Sequence, residues 1–176
     1  FSRGIIFPRH TLEYGLTFSA KQATDLGFNP REVYIAMLDE LQVKKLRLSA
    51  YWDEIQASPN VYDFTELDWQ LETAGARDVK EILSVGGRLP RWPECHFPDW
   101  VKDLDEESRK EATLLYIERV IDRYKDEKVI TNWQIENEPF LPHFGECPEP
   151  DGDFLDEEIA LVRSMDSRPI IVTDSG

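Results

Sequence analysis

Runs of apolar and β-branched residues alternate with stretches of helical periodicity along the chain, and this alternation limits the fold more than any other feature. Strands are expected over residues 14–19, 45–50, 80–86, 129–138 and 169–173. Between them, Val33, Met37 and Leu41 mark a first helical stripe, and Leu67, Leu71 and Ala74 a second. Leu114, Ile117, Ile121 and Tyr124 form a third, and Leu155, Ile159 and Val162 a shorter fourth. Start signals agree: Asn29-Pro30 with Glu32 reads as N-cap, first-turn proline and capping-box acid, and Thr65 with Asp68 repeats the idea. A βαβαβαβαβ order implies a parallel sheet, because each crossover must return the chain to the same end.

Two parallel architectures compete. A doubly wound sheet normally carries a glycine-rich nucleotide turn after its first strand, whereas here Phe18 is followed by Ser19-Ala20-Lys21-Gln22. That favours a (β/α)8 TIM barrel, of which this α/β chain supplies roughly the first five strands. Side-chain alternation points the same way. In Lys45-Leu46-Arg47-Leu48-Ser49 the leucines share one face, suited to helices, while Arg47 and Ser49 share the other. Arg47 then points into the barrel near its carboxyl-end mouth, where barrel enzymes place catalytic groups; the competing reading is a surface arginine on an edge strand.

Charge narrows the ligand class. Lys and Arg together number 20 against 35 Asp and Glu, a net charge of −15, so a nucleic-acid partner would be repelled over most of the surface. Neutral ligands such as sugars suffer no such repulsion, but the charge reads first as a solvated acidic face and by itself identifies no substrate. No apolar run approaches the roughly 18 residues of a membrane span, and Phe1 opens no signal-peptide pattern, so no membrane anchor is expected. The chain does not begin with Met, which suggests a processed chain or a piece of something longer. Cys95 and Cys147 are too few for a disulfide framework and lack zinc-site pairing; free thiols are one reading, and the sequence leaves their state open. His10, His96 and His143 lie far apart in sequence, so no metal is expected.

The densest polar segment is Thr131-Asn132-Trp133-Gln134-Ile135-Glu136-Asn137-Glu138-Pro139. Strand alternation puts Gln134, Glu136 and Glu138 on one face and Trp133 and Ile135 on the other, so two carboxylates are expected to point into the barrel. Pro139 cannot donate to a ladder and ends the strand, leaving Glu138 at the rim. Glu136, about 6.6 Å deeper along the strand, is expected beneath the ligand in a buried hydrogen-bonding role. Trp52 and Trp92 follow strands and offer flat faces for a ligand ring to stack on, or pack internally. Arg88, Arg91, His96 and His143 lie beyond strands three and four, placed either for substrate hydroxyls or to satisfy loop backbone. Trp69, Trp100 and Trp133 read as core or helix-contact residues.

Asn137-Glu138-Pro139 at the end of the fourth strand resembles the acid/base signature of the clan A retaining glycoside hydrolases. Arg47 at the end of the second strand and the segment from Gly86 to Glu94 after the third resemble that clan as well. So do Tyr51-Trp52-Asp53-Glu54-Ile55, Val61-Tyr62-Asp63-Phe64 and Leu67-Asp68 in the connection to the second helix. The resemblance implies hydrolysis of β-linked glycosides by double displacement, without a cofactor. Glu138 is the implied acid/base, Asn137 the residue bonding the sugar 2-hydroxyl, and Arg47 the cation that keeps the nucleophile ionised.

The clan's nucleophilic glutamate ends the seventh strand, whereas this chain stops at Gly176, just after its fifth. A complete barrel takes about 250 residues, and this chain has 176, so residues 1–176 are expected to form a single partial barrel domain. Further chain or a second polypeptide is expected to complete it and to supply the nucleophile. Two other readings stay open. One is a non-catalytic barrel fragment serving as a carbohydrate-binding or assembly element. The other is an unrelated α/β enzyme in which Asn137-Glu138-Pro139 is a chance turn.

Overall fold

The computed structural model describes residues 14–141 and 143–174; Phe1, His10 and Gly176, used above, lie outside the described residues. The strands are β1 (Leu16–Thr17), β2 (Lys45–Ser49), β3 (Lys80–Val85), β4 (Ile130–Ile135) and β5 (Ile170–Ile171). All pair in parallel in the order β1-β2-β3-β4-β5. Sequential order with no crossover past a neighbour is the winding of a barrel, not of a doubly wound sheet. The outer strands are shorter than expected, and β4 ends at Ile135 instead of running on to Glu138.

The helices are α1 (Ala20–Asp25), α2 (Pro30–Asp39), α3 (Trp52–Ile55), α4 (Thr65–Gly75), α5 (Asp99–Lys102), α6 (Glu106–Tyr124) and α7 (Gly152–Met165). The Asn29 side chain accepts from the N–H groups of Arg31 and Glu32, so α2 starts where its cap and proline said it would. It stops at Asp39, leaving Leu41 exposed beyond the helix. The Thr65 cap is corrected: α4 begins at Thr65 itself, and the Asp63 side chain takes the Thr65 N–H at 2.9 Å. Asp68, expected in the capping box, instead bonds Arg123 and Tyr124 of α6, which ties α4 to α6. Short α1, α3 and α5 carry too few residues to show a period.

Leu46, Leu48, Leu83, Val85, Trp133 and Ile135 alternate onto the helix-facing side of the sheet and pack with Tyr34, Leu71, Tyr116 and Ile121. Each such side chain contributes about 1.5–3 kcal/mol by leaving water. Trp133 sends its indole N–H to Asp166, Trp100 bonds the Gln56 carbonyl, and Trp69 packs on Tyr34. Three carboxyls, those of Glu81, Glu136 and Glu158, share this apolar layer. The other face carries Thr17, Arg47, Ser49, Ile82, Ser84 and Gln134, with Arg47 level with Ile82 and Ser49 with Ser84. Among the described residues no helix is long and apolar enough to cross a membrane.

Candidate active site at the carboxyl ends of the strands

Arg47 is the hub of the inner face. Its Nε donates to Thr17 Oγ1 at 3.1 Å, and its Nη1 donates to Gln134 Oε1 at 3.0 Å and to Asn137 Oδ1 at 3.5 Å. One guanidinium therefore links β1, β2 and the end of β4, which excludes the edge-surface reading. Burial lowers its pKa, with the Arg91 charge acting in the same direction and Tyr51, Glu138 and Glu94 opposing. A guanidinium starts so high that it stays cationic.

Strand alternation does not survive past Ile135. Glu136 and Glu138 sit in the left-handed region, at φ 56° and 50°, where non-glycine residues cost of order 1–3 kcal/mol and cluster at functional sites. The first turns the Glu136 carboxylate away from the barrel interior, correcting its expected place beneath the ligand. It lies in the helix-facing layer, accepting from Gly87 N at 2.7 Å and Arg88 N at 2.5 Å and paired with Glu158 of α7. Gly86, at φ 135°, is required there, since a Cβ would fall 2.2 Å from Glu136 Oε1. Burial, above all, raises both carboxyls of the pair, and two buried carboxyls in contact hold one proton between them.

The same turn swings Asn137 inward in place of Glu136. Asn137 Oδ1 accepts from Arg47, from Gln134 Nε2 at 3.3 Å and from Thr173 Oγ1 at 3.3 Å. The amide is thereby oriented, with Nδ2 directed at Glu94 Oε2, 3.4 Å away. Glu138 follows, half-buried, its backbone N–H on Thr173 Oγ1 at 3.2 Å. Its charge is felt by both Arg47 and Glu94. Arg47, Asn137 and Glu138 thus come together at one mouth, with Gln134, Thr17, Thr173 and Glu94 around them.

Other candidates separate. Trp52 is corrected as a sugar platform: it is 0% exposed, because α3 turns its ring beneath the loop. There it stacks on Tyr116 at 4.9 Å, edges against Phe97 and Trp100, and donates to Gln56 Oε1. His96 is interior as well, packed 4.5 Å from the Tyr51 ring with Nε2 at the Arg91 carbonyl. Arg88 satisfies loop backbone, donating to the Phe144 carbonyl at 2.7 Å. Trp92 is 61% exposed and meets Phe144, 47% exposed, edge-on at 5.8 Å. Arg91 is exposed beside Trp92, and exposed His143 is not drawn into the Arg47 network.

Cys95 and Cys147 form a disulfide, Cα to Cα 5.3 Å, in place of the free thiols that the sequence left open as one reading. The two are 52 residues apart but ride on loops after adjacent strands, a proximity that only the fold creates. The Arg88–Phe144 bond and Glu146 N on the Pro93 carbonyl reinforce the same seam. Closing a loop of this length is worth about 2–4 kcal/mol. A Cys147→Ser variant should therefore show a lower urea midpoint in the absence of reductant, and the gap should close when both proteins are reduced.

A cavity between α6, α7 and the loops after β3 and β4 is lined by Phe97, Thr113, Glu136, Phe154 and Glu158. Neither Arg47 nor Asn137 lines it, so it lies behind the strand ends and not at the mouth. No group of three or more His, Cys, Asp or Glu side chains among the described residues is placed to hold a metal ion.

No protein-family profile matches the chain. It is 24% identical over 125 residues to β-galactosidase BgaA of Clostridium cellulovorans, covering 61% of this chain and 19% of that protein. Among solved structures it is similar to GH5_18 from Streptomyces cattleya in complex with GlcNAc, with TM-score 0.70, 14% identity and coverage of 92% of this chain and 44% of that one. It is similar too to a glycosylated endo-β-1,4-xylanase of glycoside hydrolase family 10 from Gloeophyllum trabeum, with TM-score 0.67, 20% identity and coverage of 91% and 50%. The chain spans half or less of the length of these proteins. The five parallel strands among the described residues, with their helices, form the α/β fold of an incomplete (β/α)8 barrel that matches about half the length of these two structures.

Proposed function

We propose that this chain supplies the acid/base half of a retaining glycoside hydrolase site acting on β-linked glycosides, with Glu138 as acid/base and the nucleophilic glutamate outside the chain. The observation that carries this reading is the Asn137–Glu138 turn, held in a strained backbone against Arg47 and Gln134 at the carboxyl ends of the strands.

Retention requires one carboxyl group to protonate the leaving oxygen and a second to attack the anomeric carbon, the two standing about 5–5.5 Å apart. Glu138, half-buried at the rim, takes the first part. Arg47 faces the barrel interior, where its positive charge holds an approaching carboxylate ionised and nucleophilic. Asn137, its acceptor occupied by three donors and one Nδ2 hydrogen directed at Glu94, turns the other Nδ2 hydrogen to the sugar 2-hydroxyl, a bond that strengthens as oxocarbenium character develops. Trp92, with Phe144 against its edge, offers an exposed face on which a neighbouring sugar ring can stack.

The test is stereochemical. With the barrel complete, hydrolysis of a β-aryl glycoside followed by proton NMR should release the β-anomer first, before mutarotation. An α-product would exclude double displacement. Sugar binding without any turnover would support a carbohydrate-binding element instead.

A further inference from the structure

The geometry points to Glu94 as a second sugar-binding residue, forming with Asn137 an amide–carboxylate clamp that selects glycosides with a free 3-hydroxyl beside the 2-hydroxyl. The inference rests on the glycosidase reading and names a specificity-determining residue of that same site.

Glu94 is an unusual place to find a carboxylate. It is 5% exposed, at the mouth, in the left-handed region at φ 70°. Both of its backbone polar groups are engaged, N–H to the Arg91 carbonyl and C=O from the Leu89 N–H, each at 2.7 Å. The Cys95–Cys147 disulfide pins the next residue, and Gly145 presses so closely that a Cβ there would lie 2.8 Å from Glu94 Cβ. Strain retained inside such tight surroundings marks a side chain whose direction matters.

That direction is toward Asn137. Among the described residues the Glu94 carboxylate has one hydrogen-bond partner, Asn137 Nδ2, and its other oxygen is not among the buried unpaired atoms. The Asn137 amide cannot flip to present its oxygen, because Arg47, Gln134 and Thr173 all donate to Oδ1. The mouth therefore presents a donor and an acceptor side by side, the donor from Asn137 and the acceptor from Glu94. Adjacent equatorial hydroxyls on a pyranose match such a pair: the 2-oxygen accepts from the amide while the 3-hydroxyl donates to the carboxylate. Burial raises the Glu94 carboxyl, the Arg88 charge and the Asn137 bond oppose that rise and the Glu138 charge adds to it, so the group belongs electrostatically to the same site.

The experiment crosses two changes in the completed enzyme, Glu94→Gln and Glu94→Ala, with a β-aryl glucoside and its 2-deoxy and 3-deoxy analogues. On the parent glycoside, Glu94→Ala should lower kcat/KM by about 10- to 100-fold, the range for a hydrogen bond to a charged group, with Glu94→Gln recovering part of it. On the 3-deoxy analogue the loss should shrink to about threefold or less, because the contact is already gone. The 2-deoxy analogue should retain most of the loss. Equal losses on all three substrates would reduce Glu94 to a scaffold residue and overturn the clamp while leaving the glycosidase reading intact. A wild-type enzyme that turns over no glycoside would bring down both.

Discussion

Glu138→Gln in the completed enzyme should lose about 10²–10⁴-fold in turnover of glycosides with poor leaving groups, the span expected when a general acid is removed. The substitution is chosen for what it leaves in place. Glutamine keeps the shape and the capacity to accept a hydrogen bond, and it carries the same left-handed backbone burden as glutamate at φ 50°. The anchor of this residue, its N–H on Thr173 Oγ1, belongs to the backbone and is not removed. What disappears is the proton. With a dinitrophenyl leaving group, which departs without protonation, the first step should slow far less, and hydrolysis of the glycosyl intermediate should become limiting, because water then lacks its base. Azide, a nucleophile that needs no base, should accelerate that second step and give a β-glycosyl azide. A loss of the same size for every leaving group, without azide rescue, would remove Glu138 from the acid/base role.

Strand order and the inward direction of Arg47 were legible because both depend on extended backbone, in which side chains alternate strictly. Leu46 and Leu48 went to the helices, and Arg47 went inward, as that rule requires. The same rule misplaced Glu136, since it presupposes a strand that has already ended at Ile135. Nothing in Ile135-Glu136-Asn137-Glu138 marks two left-handed residues; glycine would have signalled them, glutamate does not. Trp52 failed for a related reason, a four-residue helix too short to show a period and yet able to turn a ring under the loop. Contacts between loops are the third kind of miss. Cys95 meets Cys147, and Glu94 meets Asn137, only because neighbouring parallel strands bring their carboxyl ends together. Glu158 was passed over in the stripe of Leu155, Ile159 and Val162 because its partner, Glu136, comes from another element.

Those buried carboxyls lead to an uncommon dependence of stability on pH. Glu81 projects from β3 into the helix-facing layer, fully buried, with Tyr34 donating to Oε1 at 3.1 Å and Oε2 without a partner among the described residues. Burial pushes its carboxyl up to about 8, against a partial offset from the Tyr34 bond. In the unfolded chain a glutamate titrates near 4.3. Below that value both states hold the proton, and the group makes no demand on folding. As pH rises, the unfolded chain releases its proton while the folded chain keeps it, so the unfolded state gains and stability falls until the folded carboxyl also titrates. Over that window Glu81 alone should remove of order 5 kcal/mol. Glu136 and Glu158, raised for the same reason, add to the trend. Asp68 and Asp166, lowered in net by Arg123 and Arg168 despite burial, have the opposite sign, but their stabilisation is lost only as pH falls through the acid range. The urea midpoint should therefore be highest near pH 4–5 and decline toward pH 8, within the window those shifts define. Glu81→Gln keeps an acceptor for Tyr34 and cannot ionise. It should match the wild type near pH 4.5, exceed it clearly at pH 8, and flatten the slope between. A wild-type midpoint that holds steady or rises from pH 5 to 8 would show that Glu81 is ionised in the folded chain, and the helix-facing layer would then need a cation or water beside Oε2 to accept that charge.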